Sequence, residues 1–495
     1  MVNKDFLVPM DVDTIGYHYT LDLCKAIDNY TINEIKTNST AFVYQQIDLT
    51  YAIQRLLYIE CINSTNLFQQ YAVQNNIAVT DCLSKARTNF DYLIAPFLLG
   101  RPIKNRLKFF IHCKVICKIV IKNFLKLIKL QKSFKKNENE SNLLIHIHHI
   151  KFETYFKKIT DILGNQEYDY LSLRDENLTK ELISRGHSVV DPSSKKIILQ
   201  LNSLSRSLLD YTSLIEESLL ILYTLKEKKP NKIIVIEGNS HLDLLTLEAS
   251  KVLGIPCYCL QQGWSPIVHT GFRNMSFTAM FVWGRYFAEV LQPHNPSQLF
   301  QVTGNHLLDN HNYLVKKNNN TGAISFFLQS PSILISISAY EDFLKLILSV
   351  ANSLPNQRII IRDHPSYFIR PNYRAQFSKC SNIYFSNPVS EELVEVLNES
   401  IIAVSIFSTV LVESIASGVV PVVCNFGSIK KYEPDLTFDG LGIEANNVED
   451  GLMKIVELVS NPFDIQNILS KQIVNKEYYF YEGESAKLIS NYLKK

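Results

Sequence analysis

Closely spaced cysteines are missing from this sequence. Its nine cysteines are scattered over 495 residues, and only Cys257 and Cys259 stand within two positions of each other, on a stretch that reads as a strand. Such a pattern supplies neither a disulfide framework nor the paired CxxC units of a zinc site, so a reducing cytosol is the expected compartment. Strong net charge is missing as well. A balance of +2 at pH 7 excludes a nucleic-acid binder driven by bulk charge and leaves any charged partner to a local patch. The opening MVNKDFLVPMDVDT lacks a charged region followed by an apolar one, so no secretory signal is expected and a cytoplasmic location is. The absence of a GxxxxGK[ST] loop excludes an ordinary P-loop NTPase. What the chain does have is apolar bulk. At 46% hydrophobic residues over 495 positions it exceeds what one core usually organises, which predicts two or three domains.

Charge is unevenly placed. From Arg101 to Lys136 there are twelve Lys or Arg and no Asp or Glu, interleaved with Phe, Ile, Leu and Val. Lys104 and Lys108, then Lys114, Lys118, Lys122 and Lys126, step by four, which draws a cationic stripe along one side of a helix and leaves apolar residues on the other. A transmembrane span is excluded, because each buried lysine would cost roughly 2.5–3.5 kcal/mol near the bilayer centre. Two arrangements remain: a helix packed on the protein with its lysines in water, or one lying flat on an anionic leaflet, where each basic side chain gains about 1 kcal/mol. The lack of balancing acid favours the second, and predicts a protein held peripherally on the inner face of the cell membrane.

Three regions follow along the chain. Residues 1–140 carry helical spacing and few strand-like runs, and end at the polar stretch KKNENESN. Residues 141–300 alternate short β-rich runs with helical ones: YDYLSL before NLTKELISRG, KIIVIEG before HLDLLTLEASKVLG, then IPCYCLQQG and AMFVWG. A second alternation in 301–495 runs through SILISIS, QRIIIRDH, NIYFSN, IAVSIFS and VVPVVCNF. Continuous apolar strands between amphipathic helices mark parallel sheets covered on both faces, so the expected fold is α/β, with two Rossmann-like domains facing a cleft and a helical N-terminal region. Ligands of such sheets bind beyond the carboxyl ends of the strands, and that rule selects the candidates.

In the last region the strand QRIIIRDHPSY ends in Arg362, Asp363, His364 and Pro365. Proline cannot continue a central strand, so His364 is expected at the strand tip, where it and Arg362 can meet a nucleotide's phosphates or ribose. Two strands later, in VSIFSTVLVESIASG, Ser408 and Thr409 occupy N-cap and first-turn positions of a helix, an anion site that needs no metal. Glu413, one turn on, can accept from ribose or sugar hydroxyls. Simple capping and a solvated helix face account for the same residues without a ligand.

The run of TGNHLLD (303–309), RDHPSY (362–367) and SIFSTVLVESIASGVVPVV (405–423) resembles the donor-binding half of the GT-B superfamily that contains bacterial Kdo transferases, polysialyltransferases, CDP-glycerol glycerophosphotransferases and UDP-GlcNAc 2-epimerases. The resemblance spans about residues 232–425. It implies a GT-B fold, a nucleotide-sugar substrate, and a donor site made by His364, Ser408, Thr409 and Glu413; Gly304, Asn305, Arg362, Pro365 and Ser405 belong to the same motifs. LQQGWSPIVHTG stands where many members carry Gln-His-Gly or Trp-His-Gly. Here Gln261 and Gln262 precede Gly263, and a glutamine amide cannot act as a general base. Two substitutes are visible: His269 in the same loop, and Glu237 at the end of KIIVIEGNSH. The Glu237-Gly238 pair is similar to the acidic-acidic-glycine motif of the Kdo and polysialic acid enzymes, with Ile236 at its first acidic position. Glu237 is preferred, flanked by Gly238 and Asn239 in the acceptor loop. A carboxylate there can deprotonate an acceptor hydroxyl or attack an anomeric carbon; equally, it can stabilise the following helix as an N-terminal acid.

Other features carry less. His146, His148 and His149 lack a completing Asp, Glu or Cys, and Asp11-Val-Asp13 stands far from any strand, so no metal and no cofactor is expected. The resemblance thus implies a metal-independent glycosyltransferase moving a nucleotide-activated sugar, with a CMP- or CDP-linked donor and above all a CMP-linked acid sugar, onto a glycan or lipid-linked acceptor of the cell surface. Two rivals stand beside it. A UDP-sugar 2-epimerase would share the fold, although ISISAYEDF replaces the histidine- and arginine-rich loop usual there. A non-catalytic scaffold would account for the glutamine at position 262.

Overall fold

The computed structural model describes residues 13–75, 88–100, 118, 142–173, 175–192, 197, 199, 204–264, 268, 271–309, 322–332, 334–365, 367–426, 435–437, 440–481 and 483–495. The lysine-rich stretch 101–136 lies outside them apart from Lys118, and so do His269 and Asp11.

The N-terminal region is helical. Among the described residues it holds the helices Asp13–Thr37, Thr50–Ile62, Thr65–Gln74 and Asp91–Leu99, with a hairpin of β1 (Val43–Tyr44) and β2 (Ile47–Asp48) between the first two. Its turn residues Gln45 and Gln46 both have left-handed backbones (φ 48° and 69°), as the tight turns that match strand twist require. Ser64 caps the third helix by accepting from Leu67 N at 3.2 Å.

Two parallel sheets follow. The first contains β3 (Leu143–His146), β4 (Tyr168–Leu171), β5 (Val189–Val190), β6 (Lys232–Ile236), β7 (Cys257–Leu260), β8 (Ala279–Val282) and β9 (Phe300–Val302), in the order β5-β4-β3-β6-β7-β8-β9. The second contains β10 (Ala323–Phe327), β11 (Ile359–Arg362), β12 (Ile383–Ser386), β13 (Ser400–Ser405), β14 (Val420–Cys424) and β15 (Ile443–Ala445), in the order β12-β11-β10-β13-β14-β15. Every pairing within each sheet is parallel. Strands such as β3, β10 and β14 are buried along their whole length, which is why they read as unbroken apolar runs. In each sheet the order reverses once, between β3 and β6 and between β10 and β13, and those two reversals open the crevices where ligands of such sheets bind.

One expected strand is not there. SILISIS makes only a bridge between Ser332 and Ile335, after which Ser336 accepts from Ala339 N at 3.0 Å and starts the helix Ile337–Ser353. The strand is the preceding AISFF of β10, and the capping serine turned an alternating pattern into a helix start.

Packing ties the chain's ends to the first sheet. The N-terminal helices and one face of that sheet share a single core, which also takes in Leu411, Val412 and Ile415 from the second domain. The other face is covered by the helix Lys151–Leu163 and by the terminal helix Ser485–Lys494, with Ala486, Ile489 and Leu493 buried there. The chain therefore crosses from the second domain back to the first before it ends.

Candidate functional site

The first reversal is built around an unusual turn. After β6 the chain passes Glu237 at φ 62° and Gly238 at φ 70°, and Gly238 N donates to Ile236 O at 2.8 Å across Glu237. This is the tight three-residue turn with a left-handed centre, a rare and strained form for a side-chain-bearing residue. Glycine is required next to it, because a Cβ at 238 would lie 2.7 Å from both Cys259 Sγ and Phe277 Cε2. From below, the Arg55 guanidinium of the N-terminal region donates to the Asn239 carbonyl. Ser240 then caps the helix His241–Leu253 in a reciprocal box with Asp243. Because Ser240 and Asp243 already serve that helix end, Glu237 is not its cap. Burial pushes the Glu237 carboxyl up, while the charges of Lys151 and Arg55 hold it partly back.

The second reversal lies between the ends of β10 and β13. Ser405 is buried and donates to Phe327 O at 2.7 Å, so it joins the two strands. Gln329, just beyond β10, accepts from Phe407 N at 3.0 Å and fixes the loop that leads to Ser408. Ser408 caps the helix Thr409–Ala416, accepting from Val410 N at 3.3 Å. Glu413 lies one turn in, and desolvation pushes its carboxyl up to about 7.

The two reversals meet at the loop after β7. Thr409 Oγ1 donates to Trp264 O at 2.9 Å and is within 3.2 Å of Trp264 N, which donates to it. A Cβ placed on Gly263 would stand 3.8 Å from Glu237 Oε1 and 3.8 Å from Thr409 Oγ1, so the carboxylate and the hydroxyl are at most twice that distance apart. Gln261 is an internal brace, accepting from Trp283 N at 2.9 Å. Gln262 reaches into the cleft and donates to the Tyr155 hydroxyl at 2.8 Å. Tyr155 feels the charges of both Glu413 and Glu237, and burial with those charges pushes its phenol up to about 12, so it remains an O–H donor.

His364 follows β11, exposed, with its carbonyl accepting from Tyr367 N at 3.0 Å across Pro365. Partial desolvation, helped by Lys151, keeps the imidazole below its usual range and hence neutral at pH 7. Lys151 thus acts on Glu237 and on His364, one from each domain.

The remaining candidates are placed elsewhere. Arg362 is buried and donates to Ser386 Oγ at 2.6 Å and Glu391 O at 2.8 Å, which binds strand edge to loop. Gly304 has φ 86° and is pressed against the crossing C-terminal segment, where a Cβ would lie 2.6 Å from Tyr481 O. Asn305 caps the short turn that follows, accepting from Leu307 N at 3.1 Å. Sequence reasoning missed Lys151 and Tyr155, on the first turns of the helix Lys151–Leu163 that follows β3, and Gln329, two residues past the end of β10. It also missed Arg55, whose partner is remote in the chain. Among the described residues no group of three or more His, Cys, Asp or Glu is arranged to hold a metal ion.

No family model matches the chain, and no curated protein does either. Solved structures do match. The UDP-GlcNAc 2-epimerase of Neisseria meningitidis bound to UDP-GlcNAc aligns over 71% of this chain and all of its own, at 14% identity and a TM-score of 0.50. This chain has the GT-B fold. MurG of Acinetobacter baumannii (11% identity, 72% of this chain and 99% of its own, TM-score 0.44) and Anabaena Alr3699/HepE in complex with UDP and glucose (14%, 72% and 100%, TM-score 0.44) are further similar structures. In GT-B terms, Glu237 belongs to the first domain, His364 and Ser408 to the second, and the 261–264 loop spans the gap.

Proposed function

We propose that the chain is a metal-independent glycosyltransferase that takes a sugar from a nucleotide donor held by the second domain. The observation that carries this reading is the opposition of the two reversals: a desolvated carboxylate on a strained turn faces, across Gly263, the capped start of a helix. Phosphate charge would be met by the positive end of the helix Thr409–Ala416 and the Ser408 hydroxyl, with His364 and Lys151 at the flank. Thr409, engaged with Trp264, holds the domains in register. Glu237 would act on the acceptor hydroxyl as general base, or on the anomeric carbon as nucleophile. The Tyr155 hydroxyl and Glu413 suit ribose or sugar hydroxyls. UDP-GlcNAc in the Neisseria epimerase supports a nucleotide-sugar substrate, the resemblance of the His364-Pro365 arrangement to enzymes using cytidine nucleotides supports a CMP-linked acid sugar as donor, and the resemblance to bacterial surface-polysaccharide enzymes supports a surface glycan as acceptor.

A panel of CMP-, CDP- and UDP-sugars tests the reading. Transfer or slow donor hydrolysis is expected, and Glu237→Gln is expected to lower turnover by about 100-fold or more while nucleotide affinity stays within a few fold. An altered sugar stereocentre would point to an epimerase, and absence of nucleotide binding to a scaffold. No described helix is long and apolar enough to cross a membrane, and peripheral attachment through the lysine-rich stretch is part of the proposal. Replacing Lys114, Lys118 and Lys122 by Glu should release the protein from anionic vesicles in a sedimentation assay; unchanged sedimentation contradicts that part.

A further inference from the structure

Tyr155 is held through its ring, its carbonyl and its hydroxyl oxygen, and only its proton is left over. It stands early in the helix Lys151–Leu163 that follows β3. The ring packs edge-on against Phe152, with 6.2 Å between centroids. The carbonyl accepts from the ring of His306, a buried residue on the segment that leaves β9. Burial pushes that imidazole down to about 4, so it is neutral and its single ring proton is the one this bond uses. The hydroxyl oxygen accepts from Gln262 Nε2 at 2.8 Å. An amide N–H can only donate, so the proton of the phenol points elsewhere, and among the described residues nothing accepts it.

The surroundings narrow what that proton is for. The charges of Glu413 and Glu237 both act on the phenol, Glu413 the more strongly, one carried by the second domain and the other by the first. Glu413 lies one turn inside the helix whose start faces the Glu237 turn across Gly263. A sugar hydroxyl and a phosphate oxygen can each accept from a phenol. Hydroxyls bring protons of their own, and either carboxyl group, ionised or not, accepts from them. The oxygens of a phosphate diester bring none and need a donor, which the phenol supplies. Because burial and the two carboxyl charges push the phenol up to about 12, the proton stays on Tyr155 and the contact is a hydrogen bond throughout.

We propose that the Tyr155 hydroxyl, aimed by Gln262 as its positioning residue, is the first domain's hydrogen-bond donor to the phosphate of the nucleotide sugar, a role that rests on the transferase reading above. A glutamine cannot serve as a base, but it can fix the direction of a phenol. Calorimetry on the full chain tests this with CMP, CDP and UDP, and with cytidine and uridine as their phosphate-free counterparts. Tyr155→Phe keeps the ring on Phe152 and the backbone bond to His306; it should weaken whichever nucleotide binds by about tenfold and move the matching nucleoside by less than about twofold. Gln262→Met keeps the length of the side chain and removes the amide. It should weaken the nucleotide by about threefold to tenfold in the unaltered chain and hardly at all in Tyr155→Phe, where no hydroxyl remains to be aimed. Unchanged nucleotide affinity in Tyr155→Phe, equal losses for nucleotide and nucleoside, or a Gln262→Met effect of the same size with and without the Tyr155 hydroxyl would each overturn the proposal. Losses as predicted in a chain that transfers no sugar would remove the transferase reading and leave the phosphate contact standing. Sugar transfer and nucleotide affinity both undiminished in Tyr155→Phe would do the reverse, and failure of every nucleotide to bind would remove the two together.

Discussion

Glu237 sits where a side-chain-bearing residue is costly: a left-handed turn centre of this kind costs on the order of 1–3 kcal/mol. The strain persists because Gly238, Cys259 and Phe277 pack too closely for another course, and because Arg55 fixes Asn239. The choice of Glu237 over the glutamines was open to sequence reasoning, since a carboxylate after an apolar strand is visible as such. The turn that presents it was not, because it depends on contacts with β7 and with a helix far away in sequence. Glu413 gives a residue-scale test in pH. Its carboxyl rises from the ordinary value of 4.5 to about 7 in the folded protein, so the folded state holds its proton more tightly than the unfolded one. That contribution is fully present below pH 4.5 and is lost as pH rises through 7. Glu413→Gln should therefore stabilise the free protein by roughly 1–3 kcal/mol at pH 8 and little at pH 4, as thermal melts at the two pH values will show; equal shifts at both would contradict the assignment.

At the scale of elements, the carboxyl ends of β6 and β11 are legible because Glu237-Gly238 and Asp363-His364-Pro365 follow them, residue types that strands do not continue with, whereas the end of β13, before Ile406 and Phe407, is read from the helix start at Ser408 and Thr409. SILISIS was misread since period-two alternation does not reveal a capping serine. Gly304 and Asn305 are assigned to the donor by their motif and Arg362 by its place at the end of β11; in the fold their contacts hold strand ends and the returning C-terminal segment. That return had no signal in local pattern. Thr409 tells most about coupling between the domains, because its hydroxyl both donates to and accepts from the Trp264 backbone. Thr409→Val keeps the shape and removes the pair of bonds. It should cost about 1–3 kcal/mol of stability and lower turnover more than nucleotide affinity; loss of affinity with turnover intact would mean that the hydroxyl serves the nucleotide instead.

For the whole molecule, two sheets wound in the same sense are joined by one apolar core that runs from the N-terminal helices through the first sheet to Leu411, Val412 and Ile415. The N-terminal region is thereby packed as part of the first domain, and its Arg55 reaches the Glu237 turn. The same arrangement sets the two strand-order reversals mouth to mouth, with charge of both signs between them: Glu237 and Glu413 pushed up by desolvation, Lys151 acting on either side. Alternating strands and helices made the two domains readable in the sequence; their facing is a product of side chains that meet only in the fold. The most direct measurement is a crystal structure of the chain with a nucleotide diphosphate or CMP bound. Our account predicts phosphate oxygens at Ser408 and the first turn of Thr409–Ala416, with the vacant sugar position between them and Glu237. A nucleotide bound away from that helix start, or one whose phosphates leave Glu237 on the far side of the base, would contradict it.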